Sequence, residues 1–243
     1  MVTRLFKRRG DLRFMTMPAA CLFDLDGLLL DTEPLHGIAW SEAAAAFGTK
    51  LSEQQLLSLR GRRRNDCAQQ VIQWMGGSAK LEQLLSTRQP IARELLSQAK
   101  PMPVAEELVR WCHQQQLPMA LVTSSTTSSL AFKSAPHPWL KLIETRVLGD
   151  DEALAAGKPA PDPYLLAAHR LGVKPSNCWA LEDSLSGTES ALKAGCFVWV
   201  LEETPSPKKQ TKTISQENNP RRINHLSEVL SELMALSQTA AND

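Results

Sequence analysis

Ala19-Ala20-Cys21-Leu22-Phe23-Asp24-Leu25-Asp26-Gly27 is the stretch on which the fold turns. A short apolar run that stops abruptly at two carboxylates and a glycine has the pattern of a buried parallel strand reaching its carboxyl end. Asp24 and Asp26 stand at i and i+2, so on an extended chain they share one face. Directly after an apolar run, unpaired acids are expensive to bury. Two readings are open for this segment by itself: an acidic turn at a strand end, or a hard divalent cation held by oxygen, for which Mg2+ is the best match.

Working outward, four further short apolar runs end at polar or Gly residues: Pro118 to Thr123, Arg146 to Leu148, Cys178 to Leu181 and Phe197 to Leu201. Helical spacing fills the gaps at Val104 to Gln116, Pro163 to Leu171 and Gly187 to Ala194. Strand, helix, strand in repetition implies right-handed crossovers and an α/β fold, a doubly wound, Rossmann-like parallel sheet. Such sheets bind ligands at the carboxyl ends of their strands. One interval breaks the alternation. Leu35 to Phe47, Glu53 to Arg60, Asn65 to Met75 and Lys80 to Gln98 read as helices, and no strand intervenes before Pro101. The expected organisation is therefore a core of residues 18–33 and 101–203 interrupted by a helical cap at 34–100. Residues 1–17 are expected to be a disordered basic extension, 204–222 a polar loop, and 223–243 a helix docking on the core through Leu226, Val229, Leu230 and Leu233.

Three more strand ends carry polar chemistry. Thr123-Ser124-Ser125 offers hydroxyls and backbone N–H groups suited to phosphate oxygens, although a Ser/Thr turn also caps helices. Gly157-Lys158-Pro159-Ala160-Pro161-Asp162-Pro163 is a rigid loop in which a lysine can present a point charge to a phosphoryl group. Leu181-Glu182-Asp183-Ser184 places a second acidic pair at a strand end. Each feature is weak alone; four in order, all at strand ends, are hard to explain as separate accidents.

With these residues in view, the sequence resembles the haloacid dehalogenase superfamily, in the subgroup with a helical cap after the first motif. It is similar there to sugar-phosphate phosphatases and β-phosphoglucomutase-like proteins. The resemblance runs from about Ala19 to Glu203. It implies that Asp24 is the nucleophile that takes the phosphoryl group and that Asp26 is the general acid and then the base. Thr123 and Lys158 would hold phosphoryl oxygens. Mg2+ would be held by the Asp24 carboxylate, the Asp26 backbone carbonyl and Asp183, with Glu182 helping through water. An Asp at the second position, absent from dehalogenases and phosphonate-cleaving members, implies phosphate ester chemistry.

Substrate contacts are expected from Glu33 and His36 at the cap entry, from Ser124 and Ser125, and from Arg64 in Arg60-Gly61-Arg62-Arg63-Arg64. Arg88 is a further cap candidate. The implied enzyme is a Mg2+-dependent phosphatase acting on a small phosphorylated metabolite, most simply a sugar phosphate, through an aspartyl-phosphate. A β-phosphoglucomutase-like phosphomutase is the nearest alternative, and a non-catalytic binding or regulatory protein is the second.

Composition agrees. The chain has 243 residues, 43% hydrophobic and 22% charged, which suits a globular core and not a disordered chain. A net charge of +1 gives no global field for nucleic acid. That balance conceals basic ends, with Arg4, Lys7, Arg8, Arg9 and Arg13 against Asp11 at one of them, around an acidic body. No apolar run approaches the roughly 18 residues that span a bilayer. Five scattered cysteines without C-x-x-C spacing suggest neither zinc nor a disulfide framework and fit a reducing, cytoplasmic setting. G-x-G-x-x-G, G-x-S-x-G and the P-loop are all missing, since Pro159 follows Lys158. A monomer is expected, with no nucleic-acid or membrane partner.

Overall fold

The computed structural model describes residues 16–59, 64–202 and 220–240. The basic residues at 1–15, Arg60 to Arg63 and most of the polar segment at 204–222 lie outside the described residues.

The core is a six-stranded sheet with β1 (Ala20–Phe23) in its interior. β4 (Met119–Val122) and then β5 (Thr145–Val147) lie on one side of it. β6 (Cys178–Glu182), β7 (Phe197–Leu201) and β8 (Arg221–Ile223) lie on the other. Every pairing is parallel. All four residues of β1 are buried, and successive ones serve opposite faces. Cys21 and Phe23 join an apolar cluster with α5 (Ala105–Gln114) and α9 (Ser227–Ala240). Ala20 and Leu22 join a second cluster with α7 (Asp162–Arg170) and α8 (Leu185–Lys193). Helices thus cover both faces, which is why these strands read as continuous apolar runs and not as alternating ones.

Register positions the site. Phe23 is paired with Leu121 and with Leu181, so the chains emerging from β1, β4 and β6 leave the sheet flush with one another. The Asp24 N–H continues the ladder to the Leu181 carbonyl at 3.1 Å, and the Thr123 N–H reaches the Val147 carbonyl at 3.0 Å.

Four helices follow β1: α1 (Glu33–Ala45), α2 (Glu53–Leu59), α3 (Arg64–Trp74) and α4 (Leu81–Leu96). They enclose a core of their own around Trp40, Ala43, Val71 and Leu84. The chain leaves and re-enters through a two-stranded antiparallel ribbon, β2 (Leu30–Asp31) with β3 (Lys100–Pro101). The remaining helix, α6 (Thr127–Ser134), follows β4. Its N-cap Thr126 hydroxyl accepts from the Ser129 N–H at 3.3 Å.

Three features depart from the sequence reading: the β2–β3 ribbon, where no strand was expected before Pro101, then β8 and α6. Arg221 and Arg222, read as the end of a polar loop, form β8 with Ile223. Only Ile223 is buried there, and the Arg221 guanidinium lies 4.4 Å from the Trp199 ring centre, so this edge strand has almost no apolar signature. Residues 127–134, for which no element was expected, form α6.

Leu226, one residue before α9, and Val229, Leu230 and Leu233 on it are all buried against the sheet. Leu233→Ala should therefore cost about 2–5 kcal/mol, measured as a lower urea midpoint with an unchanged slope.

Candidate active site

At the carboxyl edge of the sheet the Lys158 ammonium is surrounded by acceptors. It donates to Asp24 Oδ1 at 2.5 Å, to Glu182 Oε1 at 2.5 Å and to the Val122 carbonyl at 2.8 Å. Three donors meet three acceptors. All three side chains are buried. Glu182 also accepts from the Tyr164 hydroxyl, and its other oxygen accepts from Ser184 Oγ at 3.2 Å. Gly187 makes room for this carboxylate, because a Cβ there would lie 2.0 Å from Glu182 Oε1.

Charge in this cluster does not balance. Asp24, Glu182 and Asp183 bring carboxylate oxygens within 4.8 Å of one another, and Lys158 is the ammonium among them. Burial pushes Asp24 up to about 7; Lys158 opposes the shift, while Glu182 and Asp26 add to it. Burial, then Asp24, Glu182 and Glu33, drive Asp183 well above the ordinary carboxylate range. Burial alone would lower Lys158, yet Asp24 and Glu182 raise it above its usual value.

Asp183 Oδ1 is buried with no hydrogen-bond partner. Gly27, at φ +84°, allows the backbone against that same carboxylate, since a Cβ there would sit 2.0 Å from Asp183 Oδ2. An oxygen-only donor set, one orphaned buried oxygen and a deficit of positive charge fit a hard divalent cation.

Asp26 lies in the same cleft but in a different environment. Lys133 Nζ contacts its two oxygens at 2.6 and 2.9 Å, and Ser125 Oγ donates to Oδ2 at 2.7 Å. Lys133 also donates to Ser125 Oγ at 2.9 Å. Burial would raise Asp26, but the Lys133 charge and these bonds outweigh it and hold the carboxyl below its ordinary range. The strand itself ends at Phe23. The i, i+2 spacing thus brings both acids to one cleft but hands them to different lysines. In the loop after β4, the Ser125 N–H donates to Thr123 Oγ1 at 3.1 Å. Gly149 lets that loop approach, because a Cβ would fall 2.2 Å from the Ser124 carbonyl oxygen.

The opposite wall comes from the helical insertion, across a cleft of about 1750 Å³ that Glu33, His36, Arg64, Ser124 and Ser125 all line. Arg88 is buried, stacks 4.2 Å from the Trp40 ring centre and donates to His36 Nδ1 at 2.9 Å. A guanidinium can only donate, so Nδ1 accepts and the neutral ring carries its proton on Nε2.

A family model for haloacid dehalogenase-like hydrolases matches residues 18–195. The chain belongs to that family. A Drosophila melanogaster protein named "Probable pseudouridine-5'-phosphatase" is 33% identical over 217 residues, 88% of this chain and 89% of that protein. Fructose-1-phosphate phosphatase YqaB of Escherichia coli (strain K12) is 33% identical over 178 residues, 73% of this chain and 93% of the relative. The crystal structure of a haloacid dehalogenase hydrolase, family IA, variant 3, from Entamoeba histolytica superposes with a TM-score of 0.74 at 26% identity, covering 88% of this chain and 96% of that one. This family member is a phosphoric monoester hydrolase. None of its described helices is long and apolar enough to cross a membrane.

Sequence reasoning missed two residues of this haloacid dehalogenase-like site. Tyr164, the sole tyrosine of the chain, is fully buried and serves Glu182. Lys133 lies three residues beyond buried Leu130 on α6, and that i, i+3 spacing was the one available sign that it points inward.

Burial lowers His36 from 6.5 to about 4; Asp26 opposes the shift, and Lys133 and Arg88 reinforce it. The folded chain then binds fewer protons here than the unfolded chain, so this contribution to stability fades as pH falls from 6.5 through 4. Thermal melts should show a smaller loss of Tm over that window for His36→Asn than for the wild type.

Proposed function

We propose that this hydrolase is a Mg2+-dependent phosphatase that cleaves a small phosphorylated metabolite of the sugar-phosphate class through an aspartyl-phosphate on Asp24. The observation that carries the reading is the juxtaposition at one cleft of the Asp24–Lys158 pair, the orphaned Asp183 oxygen and the separately held Asp26. The substrate class is supported by relatives named for fructose 1-phosphate, glycerol 3-phosphate and hexitol phosphate.

A carboxylate attacks a phosphate dianion only when nearby positive charge offsets their repulsion. Asp24 would form the new bond to phosphorus while the ester P–O bond breaks, the departing oxygen taking a proton from Asp26. Water would then attack the aspartyl-phosphate with Asp26 accepting its proton, and the bond from phosphorus to the Asp24 oxygen would break to release inorganic phosphate. Thr123 and Lys158 would hold the phosphoryl oxygens. Asp24, the Asp26 backbone carbonyl and Asp183 would hold the cation. Glu182, whose oxygens already face Lys158, Tyr164 and Ser184, would help through water. When bound, Mg2+ supplies positive charge that keeps Asp24 ionised and polarises the phosphoryl group. Glu33, His36, Arg64, Ser124 and Ser125 would then contact the substrate from the cleft walls.

Asp24→Asn should abolish inorganic phosphate release from an aryl phosphate and leave circular dichroism unchanged. EDTA should silence the wild type and Mg2+ restore it, and activity that survives chelation would contradict the cation site. Arg64→Ala should lower kcat/KM roughly 10- to 100-fold for the best substrate in a panel of phosphorylated metabolites, the scale of a lost charged hydrogen bond. Its effect on a small aryl phosphate, which does not reach the cap wall, should be much smaller.

A further inference from the structure

We infer that Lys133 is a positioning residue for proton transfer, fixing the Asp26 carboxylate in the orientation from which it serves the leaving group. The inference rests on the reading of Asp26 as the acid in the preceding section.

Lys133 is almost wholly buried, at 2% exposure, and is not part of the strand-end framework that carries Asp24, Thr123, Lys158 and Asp183. Its ammonium reaches both oxygens of Asp26, at 2.6 and 2.9 Å, and Ser125 Oγ at 2.9 Å, while Ser125 Oγ itself donates to Asp26 Oδ2 at 2.7 Å. Lys133, Ser125 and Asp26 thus form a closed triangle. Asp26 lies beyond the end of β1 and just before the turn that begins at Gly27, so its backbone alone does not fix the side-chain rotamer. A carboxylate gripped on both oxygens by one cation and on one of them by a hydroxyl has lost its rotational freedom. Proton transfer needs that order, because the acid must meet the bridging oxygen at hydrogen-bond distance.

The element that carries Lys133 is itself pinned. Phe132 packs on Ala92 and Leu96 of α4, with the Arg93 guanidinium 5.9 Å from its ring centre. Three residues past the helix, His137 Nε2 donates to the Ala99 carbonyl at 2.7 Å, immediately before β3. α6 therefore touches the last helix of the insertion and the acid, and the turn that follows it holds the residue just before the returning strand. Lys133 is the member of that set that reaches the chemistry.

The test compares kcat/KM for an alkyl phosphate, such as glycerol 3-phosphate, with that for 4-nitrophenyl phosphate, whose leaving group departs without a proton. Both values report steps up to loss of the leaving group. For Lys133→Met the alkyl value should fall on the order of 10²-fold, within the range of general acid catalysis, and the aryl value less than about 5-fold. Lys133→Gln, which keeps a donor at similar reach, should fall between the wild type and Lys133→Met, and it carries the test if the methionine variant does not fold. On an Asp26→Asn background, Lys133→Met should add almost nothing, because the acid it orients is gone. Equal losses for both esters, or a full additional loss on the Asp26→Asn background, would overturn the positioning role. An Asp26→Asn variant that itself fails to discriminate between the two esters would instead overturn the acid assignment beneath it.

Discussion

The structure depends on one constraint: three carboxylates, from Asp24, Glu182 and Asp183, converge at the buried edge of a parallel sheet around the single ammonium of Lys158. Leaving such acids unpaired would cost several kcal/mol each, so much of the surrounding sequence is arranged to accommodate them. Lys158 bridges Asp24 and Glu182 and uses its third proton on the Val122 carbonyl. Tyr164 and Ser184 cover the remaining acceptors of Glu182. Gly27 and Gly187 stand where any Cβ would collide with Asp183 or Glu182. What is left over is the Asp183 oxygen without a partner, and that remainder is what points to a cation.

Separating Asp26 from this cluster gives two carboxylates, two residues apart, opposite tendencies. Burial among like charges pushes Asp24 toward the protonated form, whereas Lys133 and Ser125 hold Asp26 ionised. Paired acids whose environments pull them apart are the usual basis for dividing labour in a site. The ionised Asp26 is the state a base needs to take a proton from water. To act first as an acid, as proposed, it would have to gain one, which the arrival of a doubly negative phosphoryl group beside it would favour. The Lys133 contact would then matter less for charge than for direction, since it would hold the carboxyl in place through both states.

Much of this was legible in the sequence, for physical reasons that also explain what was not. β1, β4, β6 and β7 are buried on both faces, so their apolar runs are unbroken and their polar ends conspicuous. Asp24, Thr123 and Glu182-Asp183 stand at the ends of β1, β4 and β6, and Lys158 in the proline-rich loop between β5 and α7. The four helices of the insertion announce themselves by helical length without strand signals, and two of them by the glycines at 48 and at 76 and 77 that close them. β8 escaped because only Ile223 of its three residues is buried and the others are arginines. The ribbon of β2 and β3 is only two residues on each side, too short for any strand pattern to show. α6 was hidden by its serines and threonines, which look like a turn, and Lys133 with it. A buried lysine is identified by its partner, and Asp26 is 107 positions away in the chain. Tyr164 was missed for the same reason, its function being defined by a carboxylate that joins it only in the folded sheet.

The same partnerships determine how an anionic substrate can be received. Lys158 and Lys133, the two buried lysines of the cleft among the described residues, already face carboxylates, so neither offers uncompensated positive charge to a phosphate dianion. On the opposite wall Arg88 is turned toward Trp40 and His36, and Arg64 lies on the cleft surface. The core therefore has the geometry to grip a phosphoryl group but lacks the charge to attract one. In the function proposed, the missing charge would come from an ion at the Asp183 oxygen and from the arginines of the insertion. Because these two sources lie on opposite sides of the cleft, the core end of the ligand would be selected by its phosphate and the far end by whatever the helical wall can recognise. That division would let a haloacid dehalogenase-like hydrolase keep one reaction centre while the wall above it decides which ester reaches Asp24.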